Sequence, residues 1–325
     1  MTMKVHVLDD YHDTLRALPG FALLDGHEVT VHTTRAPDEA ALAARLAGAE
    51  ALVLFRERTA ITDSLVARLP DLKLIAMRGT YPHVDVDALT ARGIAFCSNL
   101  NSDGFSRGAA ELTFALILAA MRNLPEQIAS ARAGTWQAEV GRGLHGRTLG
   151  LMGYGGIARA VAGFARAFGM EVLWWASDDG RARLRADGEP LAGSREAFFA
   201  APDVISLHQR LTPATRGTIT AQDLGRMRPD ALLVNTARAG LIAPGALVAA
   251  LDAGRPGRAA LDVFDTEPAT DPRDPQIAHP RILPTPHIGF VTEDELDLQF
   301  RDIYALVNAF ASGAPQHLVN PGAPG

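Results

Sequence analysis

Short apolar runs alternate along the chain with longer segments whose apolar residues recur every three or four positions. The first such runs are "KVHVLD" (4–9), "HEVTVH" (27–32), "ALVLF" (51–55), "LKLIAM" (72–77) and "GIAFC" (93–97). Between them lie helix-like stretches such as "PDEAALAARLAG" and "TDSLVARLP". Apolar runs without strict alternation are the pattern of strands covered on both faces, and their alternation with helices predicts a doubly wound α/β sheet. A second series follows at 147–153, 171–176, 203–208, 231–237, 258–264 and 281–286. Two longer helical patterns, 106–124 and 293–312, stand where the first series gives way to the second and where the second ends. They read as helices that pass between two domains, the last one returning the chain to the first domain. The Pro- and Gly-rich tail 319–325 reads as mobile.

Composition adds limits more than detail. The length of 325 residues, 47% of them hydrophobic, suffices for two cores. A net charge of −6 argues against a nucleic-acid surface. The single cysteine, Cys97, excludes an internal disulfide framework and fits a reducing cytoplasm. No membrane-length apolar run and no N-terminal export signal is visible, so the expectation is a cytoplasmic protein with no membrane or nucleic-acid partner.

The chemistry starts at "GLMGYGGIARA" (150–160). Gly153 allows a tight strand-to-helix turn, Gly155 lets the backbone approach a pyrophosphate, and Ala158 permits close helix–strand packing. The helix that follows aims its N-terminus at the phosphates. Taken alone, such a turn can simply join a strand to a helix. Three later segments strengthen the reading. "LLVNTARAGLI" places Arg238, "ALDVFDTEP" places Asp262 and Glu267, and "LPTPHIGF" places His287, each at a strand end. Ligands of open α/β sheets bind beyond the carboxyl ends of the strands. Histidine suits proton transfer near neutral pH, a carboxylate beside it fixes its tautomer, and arginine can clamp a carboxylate. Each residue has a plainer role in isolation: a loop histidine, a surface ion pair, a helix-start acid.

Together these segments, with "DVISLHQRLTPATRGTI", resemble the D-isomer-specific 2-hydroxyacid dehydrogenases over nearly the whole chain. The resemblance implies a discontinuous flavodoxin-like substrate domain (1–100 and 288–325) with an inserted Rossmann-type dinucleotide domain (101–287). It implies a catalytic triad of Arg238, Glu267 and His287. It places the cofactor at Gly153, Tyr154, Gly155, Gly156, Ile157, Ser177, His208, Thr236, Ala237 and Asp262. It expects substrate contacts at Gly79, Thr80, Arg238 and His287, to which this sequence adds Arg78 as a candidate of its own, and a homodimer formed through the dinucleotide domain. No metal is implied. The implied activity is hydride transfer between a nicotinamide cofactor and a 2-oxoacid or D-2-hydroxyacid. The alternatives are a dinucleotide-sensing, corepressor-like binding protein and a dehydrogenase of another small oxyanion such as phosphite.

Two departures matter. Arg78 stands in "AMRGTYPHVD" where the family usually has a small or apolar residue. It either reads a second anionic group on the substrate, or faces solvent or pairs with Asp103. Tyr81 and His83 in the same loop are further candidates for the pocket. In "EVLWWASDDGRAR", the family's ribose acid falls on Ala176. Asp178 and Asp179 can replace it if they turn inward, whereas Arg181 and Arg183 would attract a 2′-phosphate. Because the acids lie nearer the strand end, NAD is the expected cofactor, with NADP left open.

Overall fold

The computed structural model describes residues 1–99 and 106–321. The chain divides into two compact units, Met1–Asp103 with Thr292–Gly325, and Gly104–Val291.

In the first unit β1 (Lys4–Val7), β2 (Glu28–Val31), β3 (Ala51–Val53), β4 (Leu74–Arg78) and β5 (Ala95–Asn99) lie in the order β2-β1-β3-β4-β5. Every pairing is parallel. This is the strand order of a flavodoxin-like sheet. β3 and β4 are apolar because they are covered on both faces; their residues are buried up to Arg78, where the chain leaves the sheet. The Glu293–Ala311 helix belongs to this unit. Thr292 caps it, its hydroxyl accepting from Glu295 N at 3.2 Å. Leu296, Phe300, Ile303, Tyr304 and Val307 form its buried face, and Phe300 meets Phe55 edge-on at 4.9 Å.

The expectation of a mobile tail fails at Val319 and Asn320. Asn320 is buried, accepts from Phe96 N at 2.8 Å and donates to Ile94 O at 2.9 Å. Val319 N donates to Phe96 O at 2.8 Å. These bonds satisfy the edge of β5, which sequence composition does not reveal. Residues 322–325 lie outside the described residues.

In the second unit β6 (Thr148–Met152), β7 (Glu171–Trp175), β8 (Val204–Leu207), β9 (Leu232–Asn235), β10 (Arg258–Leu261) and β11 (Ile282–Pro284) lie in the order β11-β10-β9-β8-β6-β7, all parallel. The chain steps outward from β6 to β7, then crosses back to β8. The switch point of the sheet therefore lies between β6 and β8, where such folds bind ligands. The long pattern predicted over 106–124 is helical only over Arg107–Met121. Asn123 adopts a left-handed conformation (φ 52°), and a second helix, Leu124–Arg132, starts with Pro125 in its first turn. Ala110, Phe114 and Ile117 of the Arg107–Met121 helix join the core formed by Val161, Ala162 and Ala165 of the Gly156–Ala167 helix.

Candidate active site

Because the second sheet is parallel throughout, its strands all release their loops at one edge. Gly153 follows β6, Ser177 follows β7, His208 follows β8, Thr236 to Arg238 follow β9, Asp262 and Glu267 follow β10, and Thr285 to His287 follow β11.

At the switch point Gly153 has φ +110°, and a Cβ there would lie 2.6 Å from the His208 carbonyl oxygen. Glycine is required both by the dihedral and by the approach of the two turns. Gly153 N donates to Trp175 O at 2.8 Å, and His208 N donates to Met152 O at 2.8 Å, so three strand ends are tied together. Burial pushes the His208 imidazole down to about 4, and its Nε2 pairs with the Ser206 hydroxyl at 2.9 Å.

Gly155, at the start of the Gly156–Ala167 helix, is different. Its backbone is extended, no atom lies within 4 Å of a Cβ built on it, and no side chain caps the helix. Gly156 and Ile157 supply the first turn, and Ala158 is fully buried beneath them. An uncapped helix N-terminus with an open glycine face supplies N–H donors to an anion. The residues present therefore fit a dinucleotide pyrophosphate.

The predicted cofactor residues are not all arranged alike. The Tyr154 ring packs edge-on to Trp174 at 5.1 Å and its hydroxyl donates to Asp187, so its side chain is occupied by the domain itself. The Ser177 hydroxyl caps the Asp178–Ala186 helix, accepting from Gly180 N at 3.3 Å. That cap puts Asp178 and Asp179 in an exposed first turn, with Asp178 paired to Arg181. The inward turn that would make them ribose ligands is not adopted. Thr236 meets Thr113 of the Arg107–Met121 helix, hydroxyl to hydroxyl at 2.7 Å.

Arg238 is exposed, and one of its N–H groups donates to the Ala237 carbonyl at 2.7 Å. Its position depends on Asn235, which the sequence reading missed. The fully buried Asn235 amide donates to Arg238 O at 3.0 Å and its oxygen accepts from Ala237 N at 3.1 Å. The signal was a polar residue closing an otherwise apolar strand.

His287 and Glu267 form the central pair. His287 Nδ1 lies 2.6 Å from Glu267 Oε2, and Glu267 Oε1 accepts from Phe264 N at 2.9 Å. Burial alone would raise the Glu267 carboxyl. Its hydrogen bond to His287, the charges of His287 and Arg238 and the Phe264 N–H outweigh that and hold it below the ordinary carboxylate value. His287 sits at φ 54°, a left-handed conformation that is rare for a side chain larger than glycine. Asp262 holds it there. The buried Asp262 carboxylate accepts from Thr285 Oγ1 at 2.6 Å, Ile288 N at 2.9 Å and Gly289 N at 2.9 Å. Burial raises its pKa despite these bonds. Asp262 thus fastens the loop on both sides of His287, and Thr285 is a second residue the sequence reading did not single out.

In the first unit, the Arg78 side chain is 14% exposed and its Nε lies 3.4 Å from Asp302 of the Glu293–Ala311 helix. The solvent-facing alternative is therefore excluded, and Asp103 lies outside the described residues. The Arg78 Nη1 is buried with no hydrogen-bond partner among the described residues. Gly79 has φ +101° and its carbonyl accepts from Ser98 Oγ at 2.8 Å; Thr80 donates to Glu57 at 3.1 Å. Tyr81 packs edge-on against Phe96 at 5.0 Å in the core. Burial lowers the His83 imidazole, both of whose nitrogens are without a hydrogen-bond partner among the described residues. No helix among the described residues is long and apolar enough to cross a membrane, and none of their His, Cys, Asp and Glu side chains form a group that could hold a metal.

Comparison with known proteins places the chain. Residues 114–289 match the NAD binding domain of the D-isomer specific 2-hydroxyacid dehydrogenases. The chain is 36% identical over 291 residues to the D-3-phosphoglycerate dehydrogenase of Mycobacterium tuberculosis, a match covering 89% of this chain and 54% of that protein. It is 33% identical to 4-methyl-2-oxopentanoate reductase A of Aspergillus oryzae, over 81% of this chain and 82% of that one. A crystal structure of phosphoglycerate oxidoreductase from Vibrio cholerae superposes with a TM-score of 0.90 at 42% identity, covering 96% of this chain and 100% of that one. The chain belongs to the D-isomer specific 2-hydroxyacid dehydrogenase family, and its second unit carries that family's NAD binding domain. It spans about half the length of the phosphoglycerate dehydrogenases it matches.

Proposed function

We propose that the chain is a nicotinamide-dependent oxidoreductase that interconverts a 2-oxoacid and a D-2-hydroxyacid. The observation that carries this is the His287–Glu267 pair at 2.6 Å, with the Arg238 charge reaching Glu267, at the same sheet edge as the open glycine turn. Gly155, Gly156 and Ile157 would hold the pyrophosphate of a bound dinucleotide. A nicotinamide cofactor, when bound, would supply the hydride for reduction at substrate C2. Arg238 holds the substrate carboxylate through its planar fork, next to the carbonyl that reacts. The protonated His287 gives its Nε2 proton to the carbonyl oxygen as the alcohol forms, while Glu267 stabilises the charged ring and fixes its orientation. In the oxidative direction the neutral ring takes the same proton back.

Arg78 supports a narrower substrate class, one with a second anionic group. A buried guanidinium nitrogen without an acceptor among the described residues costs free energy, and a phosphate or carboxylate oxygen would satisfy it. The names of the phosphoglycerate relatives agree with that reading. The exposed face of the Leu124–Arg132 helix, which buries no residue, and the exposed Trp136 and Val140 beyond it support a homodimer through the second unit.

The test is oxidation of NADH and NADPH against a panel of 2-oxoacids, with His287→Ala as control. Turnover of monoanionic or dianionic 2-oxoacids that disappears in the variant is expected. Undiminished turnover in His287→Ala would refute the assigned proton donor.

A further inference from the structure

The first sheet has a switch point of its own, and a cleft lined by arginines opens over it. The chain steps outward from β1 to β2, then crosses back to β3, so the crevice lies at the carboxyl ends of β1 and β3. A cleft of about 190 Å³ stands there, lined by residues that follow β1, β2 and β3 and by the Glu39–Arg45 helix. It has room for about six water molecules, which suits a small molecule and excludes a dinucleotide. It shares no residue with the Arg78, Gly79 and Thr80 turn after β4.

Arg35, Arg45 and Arg58 line this cleft, and none of them forms an ion pair among the described residues. Arg58 is held in place. Its guanidinium lies over the Phe55 and Tyr11 rings, 4.1 and 4.6 Å from their centroids, and donates to the Asp9 carbonyl at 2.6 Å. Burial lowers this guanidinium although Tyr11, Asp9 and Asp10 favour its charge, and an arriving anion would favour the charge further. Arg45 donates to the Thr34 carbonyl in the loop after β2.

The acids on the cleft wall already have donors. Asp9 accepts from the Tyr11 hydroxyl at 3.0 Å and the Thr59 hydroxyl at 2.6 Å. Asp38 caps the Glu39–Arg45 helix, accepting from Ala41 N at 2.8 Å, and Glu39 takes the Thr62 and Ser64 hydroxyls. The strand ends are strained as well. Asp9 after β1 and Arg56 after β3 have φ of 63° and 58°, a conformation that gathers at ligand sites.

We propose that this cleft binds the phosphate group of a small molecule, either free phosphate or a small phosphate ester, with Arg58 as its fixed cation and Arg35 and Arg45 as further donors. A phosphate brings three acceptor oxygens and about two charges, which matches several guanidiniums better than one carboxylate does. The site is separate from the proposed hydride-transfer chemistry and does not depend on that reading. The experiment is calorimetric titration of the whole chain at fixed ionic strength, with NADH present, using inorganic phosphate, glycerol 3-phosphate and malonate as probes. Saturable binding of inorganic phosphate or of the ester is expected, with a Kd of about 1 mM or tighter. Whichever binds more tightly identifies the source of the phosphate, and malonate should bind at least about tenfold more weakly. Arg58→Gln should weaken the phosphate probe roughly tenfold or more, and Arg35→Gln, on the exposed rim, roughly three- to tenfold. Should Arg58→Gln fail to fold, the Arg35→Gln result decides alone. Arg78→Ala and omission of NADH should leave the phosphate affinity within about twofold, since both lie outside the cleft. No saturation below about 10 mM overturns the inference, as does malonate binding as tightly as phosphate. An affinity unchanged in Arg35→Gln, or lost in Arg78→Ala, overturns it too, because phosphate would then be bound elsewhere.

Discussion

Glu267 and His287 come from different loops, 20 residues apart, yet their side chains meet at 2.6 Å through Glu267 Oε2 and His287 Nδ1. The contact fixes which ring nitrogen is left for chemistry, since a Nδ1 held by a carboxylate leaves Nε2 to exchange the proton. The pair is supported from both sides. Phe264 N–H holds the far oxygen of Glu267, and Asp262 holds the residues that flank His287.

The pair predicts a specific pH signature. The Glu267 pKa is held below its ordinary 4.5, so the ion pair's contribution is complete above that value and is lost only as pH falls through the lower folded value. Glu267→Gln removes the charge but keeps the shape. It is expected to shift the alkaline limb of the reductase pH profile to lower pH. His287→Ala is expected to lower kcat by roughly 10² to 10⁴ at every pH. A Glu267→Gln profile identical to wild type would show that the carboxylate does not support the charged ring.

Arg78 predicts a split between substrates. Removing it with Arg78→Ala should lower kcat/KM for a 2-oxoacid carrying a second anionic group by about ten- to a hundredfold, the worth of one or two charge-assisted bonds. A pyruvate-like substrate should change by less than about threefold. The comparison is steady-state kinetics on both substrates, with Asp302→Asn as a second variant that keeps Arg78 but removes its 3.4 Å partner. A uniform small effect on both substrates would remove Arg78 from recognition.

The buried histidine at the switch point makes stability depend on pH. His208 is pushed from 6.5 to about 4 by burial, so between those values the unfolded chain carries a proton that the folded chain does not. Stability is therefore full above pH 6.5 and falls as pH drops toward 4, by at most about 1.4 kcal/mol per pH unit for this one group. His32 in the first unit behaves in the same direction, also lowered to about 4, chiefly by burial. Denaturant melts of the unliganded protein at pH 7 and pH 5 should show the loss, and His208→Gln should shrink it. An unchanged difference in the variant would mean that His208 is protonated in the fold.

The strands were legible because a parallel sheet covered on both faces needs apolar runs, and "VISL" and "LLVN" are buried from end to end. The glycine turn was legible because the fingerprint has fixed spacing. What was hidden depends on partners distant in sequence. Nothing in "VNPGAPG" says that Asn320 will complete the edge of β5, or that Arg78 will meet Asp302. The break at Asn123 and the outward turn of Asp178 and Asp179 had local signals that went unused. Pro125 favours a helix start, and serine before two acids is an N-cap pattern.

Gly153 and Gly155, two residues apart in the same turn, should fail in opposite ways. At Gly153 an added methyl meets the His208 carbonyl at 2.6 Å, in a dihedral region hostile to side chains, and the obstruction is backbone that cannot step aside. Gly153→Ala is expected to destabilise the unliganded second unit by about 2–4 kcal/mol, through strain and overpacking together. At Gly155 the backbone is extended and open, so alanine fits the unliganded protein. Gly155→Ala should leave the unliganded Tm within a few degrees, since the change is below about 1 kcal/mol. The methyl would then stand where the pyrophosphate must approach, and nucleotide affinity should fall at least tenfold. Thermal melts with and without dinucleotide separate the two cases. Destabilisation of the unliganded protein by Gly155→Ala, or undiminished nucleotide affinity in it, would contradict the assignment of the open face to the phosphates.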